Sequence, residues 1–169
     1  MDIKLKTISK SGVPEAMAKA ELYRYLNEPE EAESICLDIL VADPDNMLAR
    51  RTLGLAITDQ FRGGPGDRHV EVERIFQGLE ERYERHYYLG LLCERRVKAQ
   101  LHAGQPAHTL LPLLEQAMQQ FAEAEKVHPP GNDDAILRWN RCVRLLRGHP
   151  EFEHEGPVVS FEVLDSPPA

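Results

Sequence analysis

The sequence predicts an all-α chain of about seven helices packed as antiparallel pairs, and three observations predict it. Apolar residues recur at every third or fourth position along most of the chain. Strong helix formers are plentiful, whereas aromatic residues make up only 7%. No segment before residue 155 alternates with the period of two that a half-buried strand needs. A chain of 169 residues suits one domain with a sizeable core. Hydrophobic residues at 42% and charged residues at 28% place it among soluble folded chains rather than disordered ones.

The elements follow in order. Ser11-Gly12-Val13-Pro14-Glu15 opens the first helix: Ser11 supplies a cap, Pro14 suits the first turn, and Glu15 meets the positive end of the dipole. Met17, Ala20, Tyr23 and Leu26 then keep a helical period. Asn27-Glu28-Pro29 breaks it, and Pro29 starts a second helix with Ala32, Ile35, Cys36, Ile39 and Leu40 on one face. Asp43-Pro44-Asp45-Asn46 ends that helix, and Asp45 or Asn46 caps the third, over residues 47–60. Gly63-Gly64-Pro65-Gly66-Asp67 is a loop. A fourth helix is expected over residues 68–82, with Val72, Ile75, Phe76 and Leu79 inward, and a fifth over 84–102. Ala103-Gly104-Gln105-Pro106 precedes a sixth helix over 109–127, where Pro112 would fall in the first turn. His128-Pro129-Pro130-Gly131 stops it. Asn132 then caps a seventh helix, which Gly148-His149-Pro150 ends.

Several chemistries find no support. The net charge of −8 argues against a dedicated nucleic-acid binder, and Arg95-Arg96 with Lys98 lacks aromatic interleaving. Cys36, Cys93 and Cys142 are too far apart for a zinc pair and odd in number for a disulfide framework, so they read as buried hydrophobes. His102, His108, His149 and His154 have no metal-binding spacing, so no metal or other cofactor is expected. The glycine loop lacks the following Lys-Ser/Thr of a phosphate cradle. The start, Met1 to Lys6, has no apolar run, and no stretch is long enough to span a bilayer. These readings predict a cytoplasmic protein that is not an enzyme.

The strongest signal is internal repetition. Ala32-x3-Cys36-x2-Ile39-x4-Pro44 returns 85 residues later as Ala117-x3-Phe121-x2-Ala124-x4-Pro129. Leu53-Gly54 returns 36 residues later as Leu89-Gly90. Small residues let helices approach, larger ones fill the gap, and proline stops a helix so that the next turns back. On these residues the chain resembles a tetratricopeptide-repeat protein, whose helix-turn-helix unit of about 34 residues carries such motifs. The resemblance implies a right-handed superhelical stack. Its units would be residues 13–46, 47–82 and 84–131, closed by a capping helix at 132–147. Residues 1–12 form an extension, and 148–169 a proline-containing tail. Two departures stand out: Lys19-Ala20 where the Leu-Gly pair belongs, and Val72 where alanine is expected.

In that family the first helix of each unit lines a concave groove that receives peptides or partner helices. The resemblance assigns to the groove Met17, Glu21 and Arg24, then Leu48, Arg51 and Leu55. It adds Tyr87, Leu91, Glu94 and Arg95 from the fifth helix, and Ile136, Asn140 and Arg144 from the seventh. One subclass grips acidic carboxylate tails with cationic side chains. The corresponding positions here are Met17, Glu21, Thr52, Glu84 and Tyr88, which argues against such tails as ligands. The implied function is a non-catalytic adaptor or scaffold for a protein or peptide. The alternative is a self-associating structural subunit.

Charge and tail bear on that alternative. Seven acids lie between residues 28 and 45 with no Lys or Arg among them, whereas Arg138, Arg141, Arg144 and Arg147 line the last helix. These are either two solvated faces or two ends that attract each other, head to tail. Trp139, the only tryptophan, reads as a core anchor between the sixth and seventh helices. In the tail, Val159, Phe161 and Val163 alternate with polar residues. That segment is loose, lies along the chain's own groove, or engages another chain.

Overall fold

The computed structural model describes residues 3–153. It contains α1 (Val13–Tyr25), α2 (Pro29–Ala42), α3 (Met47–Asp59), α4 (His69–Gln77), α5 (Arg82–His102), α6 (Ala107–Glu125) and α7 (Asp134–Gly148). Short 3-10 turns at Lys10–Gly12 and Pro150–Phe152 flank them, and no strand occurs among the described residues. The alternating segment around residues 158–164 lies outside them.

Local chemistry accounts for most of the boundaries, with some differences from expectation. Ser9, not Ser11, accepts the Gly12 N–H at 3.2 Å ahead of α1. Asn27 ends α1 by adopting φ 59°, a left-handed conformation that asparagine tolerates, so that the Glu28 N–H reaches the Tyr23 carbonyl at 2.9 Å. Asn46 caps α3, its side chain accepting the Ala49 N–H at 2.9 Å. α4 stops at Gln77 rather than near residue 82, and α5 starts at Arg82. There Leu79 turns inward, and the Arg85 guanidinium donates to the Leu79 and Glu80 carbonyls at 2.7 Å each, drawing the connection over the start of α5. α6 begins at Ala107, so Pro112 falls in its second turn. Pro112 is exposed, on the solvent side of the helix, where the backbone bond it cannot donate is tolerated. Asn132 does serve the start of α7, accepting the Asp134 N–H at 3.0 Å.

Each helix packs on the next, and α1, α3, α5 and α7 also touch in series. Their ends show their direction. Arg24 near the end of α1 bonds Asp59 at the end of α3, and Arg51 near the start of α3 bonds Glu84 near the start of α5. Tyr83 at the start of α5 bonds Asn132 just ahead of α7. The odd-numbered helices therefore run one way and the intervening ones run back.

The core has two clusters. One joins α1 to α4 with Leu92 of α5; the other joins α5, α6, α7 and Phe152. Phe152 is buried in the second cluster, so the packed unit reaches past residue 147. Ile8 packs on the first, so it also begins ahead of residue 13. The repeated small and large residues meet face to face. A Cβ on Gly54 would lie 2.3 Å from the Phe76 ring, and one on Gly90 would lie 2.7 Å from the Phe121 ring. In the first helical pair the corresponding residues, Ala20 and Cys36, are fully buried.

All three cysteines are free and buried. Burial is the largest cause pushing their thiols up from an ordinary 9.0, to about 12 for Cys36 and Cys142 and about 11 for Cys93. The folded chain therefore keeps protons that the unfolded chain releases. Their contribution to stability is present in full below pH 9 and is lost as pH rises from 9 towards 12. The urea midpoint should hold between pH 7 and 8.5, fall above pH 9, and fall less steeply when all three cysteines are alanine. An identical decline with and without the thiols would refute this origin.

Candidate partner-binding face

The side that the odd-numbered helices share is knit by charge. Asp59 binds three helices: it accepts from Arg24 of α1 at 2.8 Å and from Arg95 of α5 at 2.5 Å, from its place at the end of α3. Arg95 also donates to Thr58 Oγ1 at 2.5 Å and to the Leu55 carbonyl at 3.3 Å. Burial lowers the Arg95 pKa, and the Asp59 charge opposes that shift. Arg51 bonds Glu84 at 2.6 Å. Further along, Glu94 of α5 is fully buried and pairs with Lys98 and, at 3.6 Å, with Arg138 of α7.

Two cavities open on this side. The first, about 250 Å³, is bounded by Glu21, Arg24 and Tyr25 of α1 and by Arg51, Leu55 and Tyr88. The second, about 440 Å³, is bounded by Tyr83, Tyr87 and Tyr88, by Arg51 paired to Glu84, and by Glu81, Asn132 and Asp134. Arg51 and Tyr88 line both, so the two are neighbours along one face.

The thirteen sequence-predicted residues divide accordingly. Glu21, Arg24, Arg51 and Leu55 converge on the first cavity, and Arg51 and Tyr87 on the second. Met17, Leu91 and Glu94 are buried, which corrects their assignment to a groove surface. Met17 packs in the first core, in one cluster with Cys36 and Ile39 of α2 and Ala49 and Leu53 of α3. Arg95 is held beneath the face by Thr58 and Asp59. Leu48, Ile136, Asn140 and Arg144 line neither cavity.

Sequence reasoning missed Tyr25, Tyr83, Glu81, Asn132 and Asp134 as lining residues. The spacing of Tyr83 and Tyr87, one helical turn apart, was a usable signal. Starting the fifth helix at residue 84 hid it, because Tyr83 then lies in a loop.

Trp139 also differs from expectation. It is 36% exposed rather than a core anchor. With Leu111, Met118, Ala122 and Leu146 it lines a cleft of about 510 Å³ between α6 and α7. The α7 positions facing inward are Ala135, Cys142 and Leu145.

Among the described residues, no group of three or more His, Cys, Asp or Glu stands close enough to hold a metal ion, and no helix is long and apolar enough to cross a membrane. Comparison of the chain with protein-family models, with curated proteins and with solved structures returned no significant match.

Proposed function

We propose that the chain is a short tetratricopeptide-like array. It binds a protein or peptide through the face shared by α1, α3, α5 and α7, as an adaptor or scaffold without catalysis. One observation carries this reading: two adjacent cavities on that face share Arg51 and Tyr88, so an extended ligand meets a continuous row of pockets. The twin glycine–phenylalanine contacts at Gly54–Phe76 and Gly90–Phe121 support the repeat. Tyrosine and arginine, rich on this face, are the residues that most often dominate binding energy.

The test is selection of peptides from a random phage-displayed library on the immobilised chain, with affinities measured in solution. Tyr25→Ala and Leu55→Asp should each weaken a selected peptide about tenfold or more, as expected for interface anchors. Val41→Asp, on the exposed side of α2, should leave it unchanged. Equal affinities across all three variants would end the proposal.

The apolar cleft at Trp139 favours self-association as the second reading, because contiguous exposed apolar surface marks contact sites. Light scattering of the chain with and without residues 155–169 decides it. A monomeric mass for both removes the reading.

A further inference from the structure

The second cavity has a chemical character that selects a ligand class. Its walls are aromatic and fixed. Tyr83 and Tyr87 stack with centroids 5.7 Å apart, and Tyr88 stands edge-on to Tyr87 at 5.1 Å. Behind them, Phe121 backs Tyr87 at 6.1 Å and Phe76 backs Tyr88 at 5.4 Å. The Tyr83 hydroxyl donates to Asn132 Oδ1 at 3.0 Å. Rings held in this way lose little conformational freedom when a ligand arrives.

Charge supplies the second argument. Three carboxylates border the cavity, against the Arg51 guanidinium; Arg138, 3.6 Å from Glu94, also stands beside Tyr87. Arg51 is committed to Glu84 at 2.6 Å, whereas Glu81 and Asp134 have no ion pair among the described residues. The ring faces already hold one cation, since the Arg51 guanidinium lies 5.8 Å from the Tyr88 centroid. Burial, and then Asp134, push the Tyr83 phenol up to about 12, so it stays neutral at physiological pH. An anionic side chain entering here would meet Glu81 and Asp134 with no counter-ion.

We propose that the cavity between the starts of α5 and α7 receives a cationic side chain, arginine or lysine, of the bound peptide. Tyr83, Tyr87 and Tyr88 surround the cation with aromatic walls, and Glu81 and Asp134 neutralise it. The proposal rests on the peptide-binding reading above and makes it specific: the ligand is basic at the position that enters this cavity.

The test titrates the isotope-labelled full chain with capped Gly-Arg-Gly, Gly-Gln-Gly and Gly-Glu-Gly tripeptides, followed by NMR. The arginine peptide should shift resonances of Tyr83, Tyr87, Tyr88 and Asn132. It should bind about tenfold more tightly than the glutamine peptide. The Glu81→Gln/Asp134→Asn double variant should lose most of that advantage, with its melting curve recording an intact fold. Equal binding of the arginine and glutamine peptides, or shifts confined to another face, would overturn the proposal. Library peptides that footprint on the shared face but ignore the double variant sink the pocket and spare the wider reading. Absence of any footprint on that face sinks both.

Discussion

Phe121→Ala is expected to destabilise the chain by about 3–5 kcal/mol, the range for emptying a buried aromatic site. The ring is fully buried and lies against Gly90, at the most extensive helix contact, between α5 and α6. It also backs Tyr87 at the wall of the second cavity, so its loss should loosen the candidate face along with the core. Gly90→Ala fails in the opposite way. Its new methyl group would stand 2.7 Å from the ring, overpacking worth about 1–3 kcal/mol. The two changes are coupled, because each relieves the fault of the other. Gly90→Ala combined with Phe121→Leu should cost clearly less than the two single changes summed. Urea unfolding followed by circular dichroism gives the values for Gly90→Ala, Phe121→Leu and their combination. Strict additivity would show that the glycine is not there to make room for the ring.

Lys98→Met should cost roughly 2–4 kcal/mol, towards the lower end of what breaking a buried ion pair costs, because Arg138 remains near. The reason lies in Glu94. Its side chain is fully buried, one oxygen serves both Lys98 and Arg138, and the other has no hydrogen-bond partner among the described residues. Removing the ammonium strands most of that charge inside. Glu94→Leu should be far milder, since a hydrophobic residue of similar volume avoids the desolvation cost altogether. The Glu94→Leu/Lys98→Met double variant should therefore regain most of the stability lost by Lys98→Met. A double variant as unstable as the lysine change alone would show that Lys98 acts through packing of its stem.

The helices α1, α2, α3 and α6 were legible because each has local punctuation: a proline or asparagine at the start and a turn residue at the end. The α4–α5 boundary was not, because Glu81 ahead of α5 makes no side-chain cap. Gly78 caps the end of α4, and beyond it Leu79 is buried and Arg85 reaches over the turn, contacts that need the folded chain. The candidate face was half legible. The tetratricopeptide resemblance placed Glu21, Arg24, Arg51 and Leu55 together, and they do share a cavity. The same resemblance sent Met17, Leu91 and Glu94 there as well. Periodicity tells which residues share a side of a helix, but not how much of that side the neighbouring helix covers.

The sequence by itself determined the all-helical class, the order of the helices and the pairing of small with large residues, since periodicity, turn chemistry and side-chain volume act within a few residues. Only the tertiary structure decided which charges are spent holding the helices together and which remain free to meet a ligand. Arg24–Asp59, Arg95–Asp59 and Arg51–Glu84 join residues more than thirty positions apart in the chain, and Glu94–Arg138 more than forty. Nothing local marks such pairs. They exist because parallel odd-numbered helices bring corresponding turns side by side, and the carboxylates left over, Glu81 and Asp134, lend the face its cation-seeking character.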